Sequence, residues 1–523
     1  MTTPDGPTSA TKVGDIARLL GIDSPAGVGA DLVVTGIAQD SRVVEPGDLY
    51  LARSGLATHG AAHAPAARAA GAVAAVTDAA GEDRCRASGL VTLVTADPAR
   101  VAGPLAQFVL GEPAKRLRTI GITGTNGKTT TAFMVAALLS AAGHRSGLLG
   151  TVLSRVGGVD EGSARSTPEA TDLARLMARM VTAGDDACVM EVSSHALAFN
   201  RVDGIVFDVA VFLNFSQDHL ELHGSMESYF AAKASLFTPT RAARAVVDIT
   251  GDAGQRLAER ATIDVVTLDT GIRGSAAKSA QEAAQAADYV LADVEIGSIS
   301  SSARLIGPGL APDGLAFTLP VPGDFNLANA AAAVLAVHVA GVDVVSAVDG
   351  FSTLRVPGHM ERHEVAGGIV AVVDFAHTPA AITAELEALR AVLPSASGRL
   401  IAVAGCGGDR DPEKRGSMGH ALGAGADVVV ITDDNPRSED PAAIRAAALA
   451  GARAAVHAEV IEVPDRGVAI HAALDRARSG DVVAVLGKGH ETGQEIGGVV
   501  LPFSDGACIE DWSRRHQQSE EGA

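Results

Sequence analysis

The residues with the sharpest chemical spacing are Gly124-Thr125-Asn126-Gly127-Lys128-Thr129-Thr130. Glycines let backbone N–H groups face an anion, the lysine adds charge, and a threonine hydroxyl can ligate Mg²⁺. Together they cradle nucleoside triphosphates such as ATP. The usual GxxxxGK[ST] spacing asks for glycine at 122, where this chain has Ile122, so the loop is a variant carried by Gly124 and Gly127. The plain alternative is a glycine-rich strand–helix turn; Gly-Lys-Thr-Thr in register tells against it. The absence of an N-K-x-D motif argues against a GTPase.

Two acidic or imidazole candidates follow. Glu191 ends the apolar run Cys188 to Val192, before Ser193-Ser194-His195. Asn214 closes the run Val209 to Leu213, with Asp218-His219 just beyond. Ligands gather at the carboxyl ends of parallel strands, so Glu191 and His219 can converge on a metal beside Lys128 and Thr129. A carboxylate suits Mg²⁺; histidine suits softer metals and, taken alone, reads as structural. Lys233 is the third. In SMESYFAAKASLF it has Tyr229, Phe230, Leu236 and Phe237 at helical spacing, which places it on an apolar stripe. It is either a snorkelling lysine or a desolvated amine able to take up CO₂ as a carbamate.

The elements that must position these groups are short β-branched runs alternating with Ala/Leu-rich helical stretches. That pattern gives an α/β fold with parallel sheets covered by helices. The spacing predicts three domains, 1–117, 118–355 and 356–523. The first holds strand-like Leu32 to Ala38, Ala72 to Thr77 and Val91 to Thr95. The second opens on Ile120-Gly121-Ile122-Thr123 and a helix over Ala132 to Ala142. In the last, Ile369 to Asp374, Leu400 to Ala404, Val428 to Thr432 and Val482 to Leu486 read as an open doubly wound sheet. Gly271 to Asp288 reads as an inserted stretch.

Composition bounds the partners. The chain has 523 residues, 42 Lys plus Arg and 62 Asp plus Glu, for a formal charge of −20. That excludes a nucleic acid laid across the surface. The uncharged stretch Phe325 to Val342 contains Asn326, Asn329, His338 and many alanines, so it predicts a buried soluble helix rather than membrane insertion. The polar N-terminus shows no secretory signal, and Cys85, Cys188, Cys406 and Cys508 form no CxxC pair. A cytoplasmic protein without disulfides is expected.

In order along the chain, DSR (Asp40 to Arg42), GTNGKTT, MEVSSHAL (Met190 to Leu197), NFSQDHLELHG (Asn214 to Gly224), AAK (Ala231 to Lys233), GDFNLANA (Gly323 to Ala330), DFAHTP (Asp374 to Pro379), GCGGDRD (Gly405 to Asp411), DDNPR (Asp433 to Arg437) and GKGHE (Gly487 to Glu491) resemble the Mur ligases. These are ATP-dependent amide-forming enzymes of peptidoglycan synthesis. The resemblance covers nearly the whole chain. It is strongest to members that add meso-diaminopimelate to UDP-N-acetylmuramoyl-L-alanyl-D-glutamate.

The resemblance implies a UDP-binding N-terminal domain, a central P-loop ATPase and a mobile Rossmann-like C-terminal domain in a monomer. It assigns Gln39, Ser41, Arg42, Leu56, Ala57 and Thr58 to the uridine diphosphate. Ser166, Thr167, Ser193 and Arg201 fall to the muramoyl-dipeptide side. Thr129, Glu191, His219 and a carbamylated Lys233 become Mg²⁺ ligands. Asn326, Asn329, Asp374 and His377 join the phosphate loop at ATP. Arg410, Asp434, Asn435, Pro436, Arg437, Gly487 and Glu491 fall to diaminopimelate. The chemistry agrees, because the distal carboxylate of diaminopimelate suits a guanidinium and its ammonium suits Glu491 and Asp434.

Four positions depart from the family pattern. His359 stands where arginine is usual, Phe375 where tyrosine is usual and Gly493 where an aromatic is common, and Val246 to Gly254 dilutes an Asn-x-Asp-Asp motif. These departures keep two rivals in play: a ligase for another amino acid such as L-lysine, and a nucleotide-binding scaffold that has lost ligation.

Overall fold

In the computed structural model, residues 10–521 are described, apart from 26, 56–57, 164, 273–286, 298–299, 394–396 and 456. Leu56, Ala57 and most of the expected insertion at Gly271 to Asp288 lie outside the described residues.

Among the described residues the β-branched runs form three large sheets, beside two two-stranded ones. Gly36–Ala38 (β1), Asp48–Ala52 (β2), Ala74–Thr77 (β3) and Val91–Val94 (β4) pair in parallel in that order. The expected strand Leu32 to Ala38 is broken in two. Val33–Val34 pairs with Thr11–Lys12, and the Thr35 amide bonds the Gly47 carbonyl instead of continuing that ladder.

The second sheet has eleven strands: Arg118–Thr123 (β5), Ser146–Leu149 (β6), Leu153–Val156 (β7), Val159–Gly162 (β8), Ala187–Glu191 (β9), Phe207–Phe212 (β10), Ala242–Asp248 (β11), Asp264–Asp269 (β12), Tyr289–Ile296 (β13), Ser301–Ile306 (β14) and Leu315–Leu319 (β15). Their spatial order is β8-β7-β6-β9-β5-β10-β11-β12-β13-β14-β15. From β6 to β13 the pairings are parallel; both flanks are antiparallel. Strand β5 therefore lies among parallel neighbours, and its carboxyl end delivers the phosphate loop.

Helix Lys128–Ala141 (α1) follows that loop, and Met226–Ala234 (α2) carries Lys233. Helix Asp324–Val339 (α3) is the uncharged stretch flagged in the sequence, and nearly every residue in it is buried. It packs beside α1, which is also apolar on all sides. Helices apolar all round must be covered all round, and these two cover each other and the sheet. No helix among the described residues is long and apolar enough to cross a membrane.

The third sheet comprises Glu361–Val365 (β16), Ile369–Asp374 (β17), Leu400–Ala404 (β18), Val428–Ile431 (β19), Glu459–Glu462 (β20) and Val482–Leu486 (β21). Their order is β16-β17-β21-β18-β19-β20, parallel except at β16. A hydrophobic core lies on each face, as a doubly wound sheet requires. Helices Pro379–Ala391 (α4) and Lys414–Gly425 (α5) begin at the strand ends facing the second sheet.

Candidate active site

A cleft of about 1620 Å³ opens between the second and third sheets. Thr125 to Thr130 form its floor. Gly127 has φ 85°, and a Cβ there would stand 2.4 Å from Asn329 Oδ1. Backbone freedom and the approach of α3 thus both demand glycine. Asn214 clamps the loop by accepting from the Asn126 amide and donating to its carbonyl, each at 2.9 Å. Lys128 Nζ donates to the carbonyls of Gly124 (3.0 Å) and Thr125 (2.8 Å). Burial lowers its pKa, while the charges of Glu191 and Asp218 oppose that shift.

Glu191 is 1% exposed. It accepts from Thr129 Oγ1 (2.8 Å), Thr151 N (2.7 Å) and Thr151 Oγ1 (3.0 Å). Only neutral donors bond it among the described residues. A buried carboxylate held this way beside a threonine hydroxyl fits a hard divalent cation. Thr151 carried no motif and was missed from sequence.

The structure divides the expected metal ligands. Thr129 and Glu191 bond each other. His219 stands with His195 and Glu221, where one ligand atom from each lies within 4.8 Å of the others. The His195 and His219 rings meet edge to face at 4.7 Å. His195 is pushed down to about 4, first by burial and then by the neighbouring His219, so its ring is neutral at neutral pH and keeps one nitrogen free to accept. Lys233, 1% exposed, donates to the Gly124 carbonyl at 2.8 Å and lies 4.8 Å from the Tyr229 ring centroid. Burial, then the charge of Lys128, drives its pKa well down. That favours the desolvated amine over the snorkelling lysine.

The third sheet closes the cleft from above. Asp374, at the end of β17, accepts from the amides of Met360 (2.8 Å) and Ala376 (2.7 Å). Burial pushes it up to about 6, against those two N–H groups. His377 Nδ1 lies 2.8 Å from the Phe375 carbonyl. Thr378 caps α4 and places its hydroxyl 3.4 Å from Asn126 Oδ1 in the phosphate loop. Lys414, on α5, reaches Asp218 at 3.2 Å. Burial would raise the Asp218 carboxyl, but His219, His377 and Lys414 hold it well below the usual carboxylate range. Neither Thr378 nor Lys414 was anticipated, since each has a partner roughly 200 residues away or more. The departure at His359 has a defined consequence. Burial and the neighbouring cations push its ring down to about 3, so it is neutral where an arginine would be charged.

Arg437, Asp434, Asn435 and Glu491 gather at the far end with Arg410 and Gly487. Arg437 Nη1 donates to the Gly408 carbonyl (2.6 Å), and Nε lies 3.3 Å from Glu495. A Cβ on Gly407 would come 3.0 Å from Arg437 Nη1 and 3.9 Å from Asp434 Oδ2. A glycine there keeps a cation and an anion open to one ligand. Pro436 contributes backbone and does not line the cleft. Sequence reasoning missed Lys488, which is fully buried and donates to Asn435 Oδ1 (3.0 Å) and Glu491 Oε2 (2.9 Å), with Asp434 Oδ1 at 3.5 Å. It neutralises part of the acidic pair expected to answer an ammonium.

Ser166, Thr167, Ser193 and Arg201 line the opposite wall. Arg201 pairs with Glu169 at 2.8 Å, and Glu169 also pairs with Arg53 (3.2 Å) and Arg165. One carboxylate thus faces three guanidiniums, an arrangement with surplus positive charge. Arg53, Arg165 and Glu169 escaped the sequence reading because no motif marks them. Gln39, Ser41, Arg42 and Thr58 lie outside the cleft, on the first sheet's loops; the Arg42 guanidinium is exposed and pairs with Asp40 at 2.6 Å.

Comparison with known proteins finds the same layout. Residues 33–107 match the Mur ligase family catalytic domain, 122–337 the Mur ligase middle domain and 358–489 the Mur ligase glutamate ligase domain. A UDP-N-acetylmuramoyl-L-alanyl-D-glutamate–2,6-diaminopimelate ligase of Streptomyces coelicolor is 46% identical over 525 residues, covering 99% of this chain and all of the relative. The protein of that name from Corynebacterium glutamicum is 41% identical, covering 92% of each chain. A solved structure with the same name is 30% identical, with a TM-score of 0.65, covering 97% of this chain and 99% of the other. This chain belongs to the Mur ligase family.

Proposed function

We infer that this chain is an ATP-dependent amide ligase. It joins meso-diaminopimelate to the D-glutamyl γ-carboxylate of UDP-N-acetylmuramoyl-L-alanyl-D-glutamate in peptidoglycan precursor synthesis. The observation that carries this reading is one cleft holding a phosphate loop at one end and the Arg410, Arg437, Asp434 and Glu491 pocket at the other. Relatives of nearly equal length and 41–46% identity bear the name of that activity.

The γ-carboxylate attacks the γ-phosphate of ATP, giving an acyl phosphate and ADP. The amine of diaminopimelate then attacks the acyl carbon, phosphate leaves, and the amine loses a proton as the amide forms. Both steps bring anions together, so positioning and charge compensation dominate. Lys128 exchanges its loop carbonyls for phosphate oxygens. Arg201 orients the dipeptide carboxylate. Arg437 and Arg410 grip the distal carboxylate of diaminopimelate bidentately. Asn326, Asn329, Asp374 and His377 hold the nucleotide from both sides. Thr129, Glu191, His219 and the carbamate formed by Lys233 with CO₂ would hold Mg²⁺, which when bound offsets phosphate charge. Docking of the third sheet over the loop excludes water from the acyl phosphate. Gln39, Ser41, Arg42 and Thr58, on the first domain, hold the UDP end. Three sheets in separate stretches of chain support domain limits near 117 and 355. The reading is of a monomer, and four free cysteines suit a cytoplasmic setting.

The test is phosphate release and product mass with ATP, Mg²⁺, the UDP-muramoyl-dipeptide and a panel of amino acids. Diaminopimelate-dependent turnover is expected, and Arg437→Ala should lower kcat/KM for diaminopimelate at least a hundredfold, the scale of a charge-assisted bidentate contact. Turnover with lysine alone, or intact diaminopimelate turnover in Arg437→Ala, would reject the substrate; no amino-acid-dependent phosphate release would leave a scaffold.

A further inference from the structure

One group in the cleft has no part in the chemistry above. Glu385, on α4, is 2% exposed, and its Oε1 has no hydrogen-bond partner. It nevertheless lines the cleft. The charged group that acts on it is Asp374, whose two oxygens are already taken by the Met360 and Ala376 amides. A buried carboxyl close to another carboxylate, its Oε1 bonded to no donor among the described residues, favours the protonated form. Burial, then the charge of Asp374, hold the Glu385 carboxyl well above its ordinary range. The protonated form so favoured offers one O–H donor and one C=O acceptor.

Its place along α4 says what it meets. The helix starts at Thr378, which touches Asn126 of the phosphate loop. Seven residues at ~1.5 Å each place Glu385 about 10 Å farther along the axis, the span from the phosphates of a bound nucleotide to its base. The apolar residues lining the cleft include Pro320, Val321 and Phe325, from the stretch that leads into α3, and Ala381 and Ala384, which precede Glu385 on α4; Asp324 and Thr383 line it beside them. Such a slot accepts a flat ring and leaves its edge to be read by the few polar groups present.

We propose that Glu385 is an adenine-reading residue, donating its O–H to a ring nitrogen of the base and accepting from the adjacent exocyclic amino group. This rests on the reading of the cleft as an ATP site. Loss of one such buried contact weakens binding about tenfold.

Calorimetric binding of ADP and of purine riboside diphosphate, which lacks the 6-amino group, tests it without turnover. The wild-type protein should prefer ADP about tenfold. Glu385→Gln, which keeps a donor and an acceptor, should retain that preference. Glu385→Leu should bind both nucleotides equally, and about tenfold more weakly than the wild-type protein binds the purine analogue, because the bond to the ring nitrogen is lost as well. Glu385→Ala should do the same, so a folding failure of the leucine variant leaves the test intact. An ADP preference that survives both truncations overturns the assignment while leaving the ATP site standing. If the wild-type protein binds neither nucleotide, the ATP reading falls and the assignment with it.

Discussion

Lys233 shows how far one residue can be understood from its neighbours in sequence. Aromatics at helical spacing placed it on an apolar stripe, and the structure finds it buried with one carbonyl as its hydrogen-bond partner. A protonated amine pays heavily for that position, and a neutral one is nucleophilic. Carbamylation, as proposed, would add a negative charge close to Lys128. Lys233→Ala should therefore lose at least a hundredfold in kcat, the scale of a removed electrostatic stabiliser, and millimolar short carboxylic acids should restore part of it; unaltered activity in the variant would sink the carbamate. Lys488, Lys414 and Glu385 carried no comparable signal. Each has a meaning set by groups brought near by folding, as with Lys488 and Asn435, 53 residues apart. His359 was legible as a departure, and its structure explains the effect: a buried, neutral ring in a polyanion-binding cleft.

At the scale of elements, legibility followed burial. Strands covered on both faces read directly: Ile369–Asp374, Leu400–Ala404 and Val482–Leu486 stand where the apolar runs placed them. The antiparallel flanks of the large sheet did not stand out, because Leu315–Leu319 alternates buried and exposed residues over only five positions and Val159–Gly162 is largely exposed. Helix α4 joins both themes. Ile382, Leu386 and Leu389 bury one face of it in the third domain's core, and Glu385 is buried beside them with no hydrogen bond to its Oε1 among the described residues. A carboxyl whose pKa is raised on folding adds stability below its unfolded value of about 4.3 and loses it as pH rises towards the folded value. Glu385→Leu has no such proton to hold. The third domain of that variant should match the wild type near pH 4.5 and exceed it at pH 8, by about 2–4 °C in Tm for each kcal/mol recovered. Calorimetric scans at the two pH values check this; parallel curves would mean that Glu385 is solvated in the folded chain.

At the scale of the whole molecule, a charge of −20 sits uneasily with three anionic ligands. Screening limits its reach to roughly 8 Å at physiological salt, so capture rests on local cations in the cleft walls. Those walls belong to different domains, and they must meet for the reaction and part for release. Among the described residues, side-chain contacts that hold the docked arrangement include Thr378 to Asn126 and Lys414 to Asp218. The second is the stronger, being ionic and nearly buried, with side chains 13% and 5% exposed. It also ties the third domain to the residue preceding His219, so docking would fix the loop that the proposed function assigns to the metal. Lys414→Met keeps the aliphatic stem and removes the charge, leaving Asp218 without its lysine partner and with the His219 ring at 3.4 Å. An unpaired buried charge costs about 1–3 kcal/mol, enough to favour the open form by roughly tenfold or more. Small-angle scattering of the nucleotide-free variant should show a larger radius of gyration than the wild type, and ADP should reverse part of the change. Identical profiles would show that the domains stay docked without this pair and that closure is governed by the loop contacts alone.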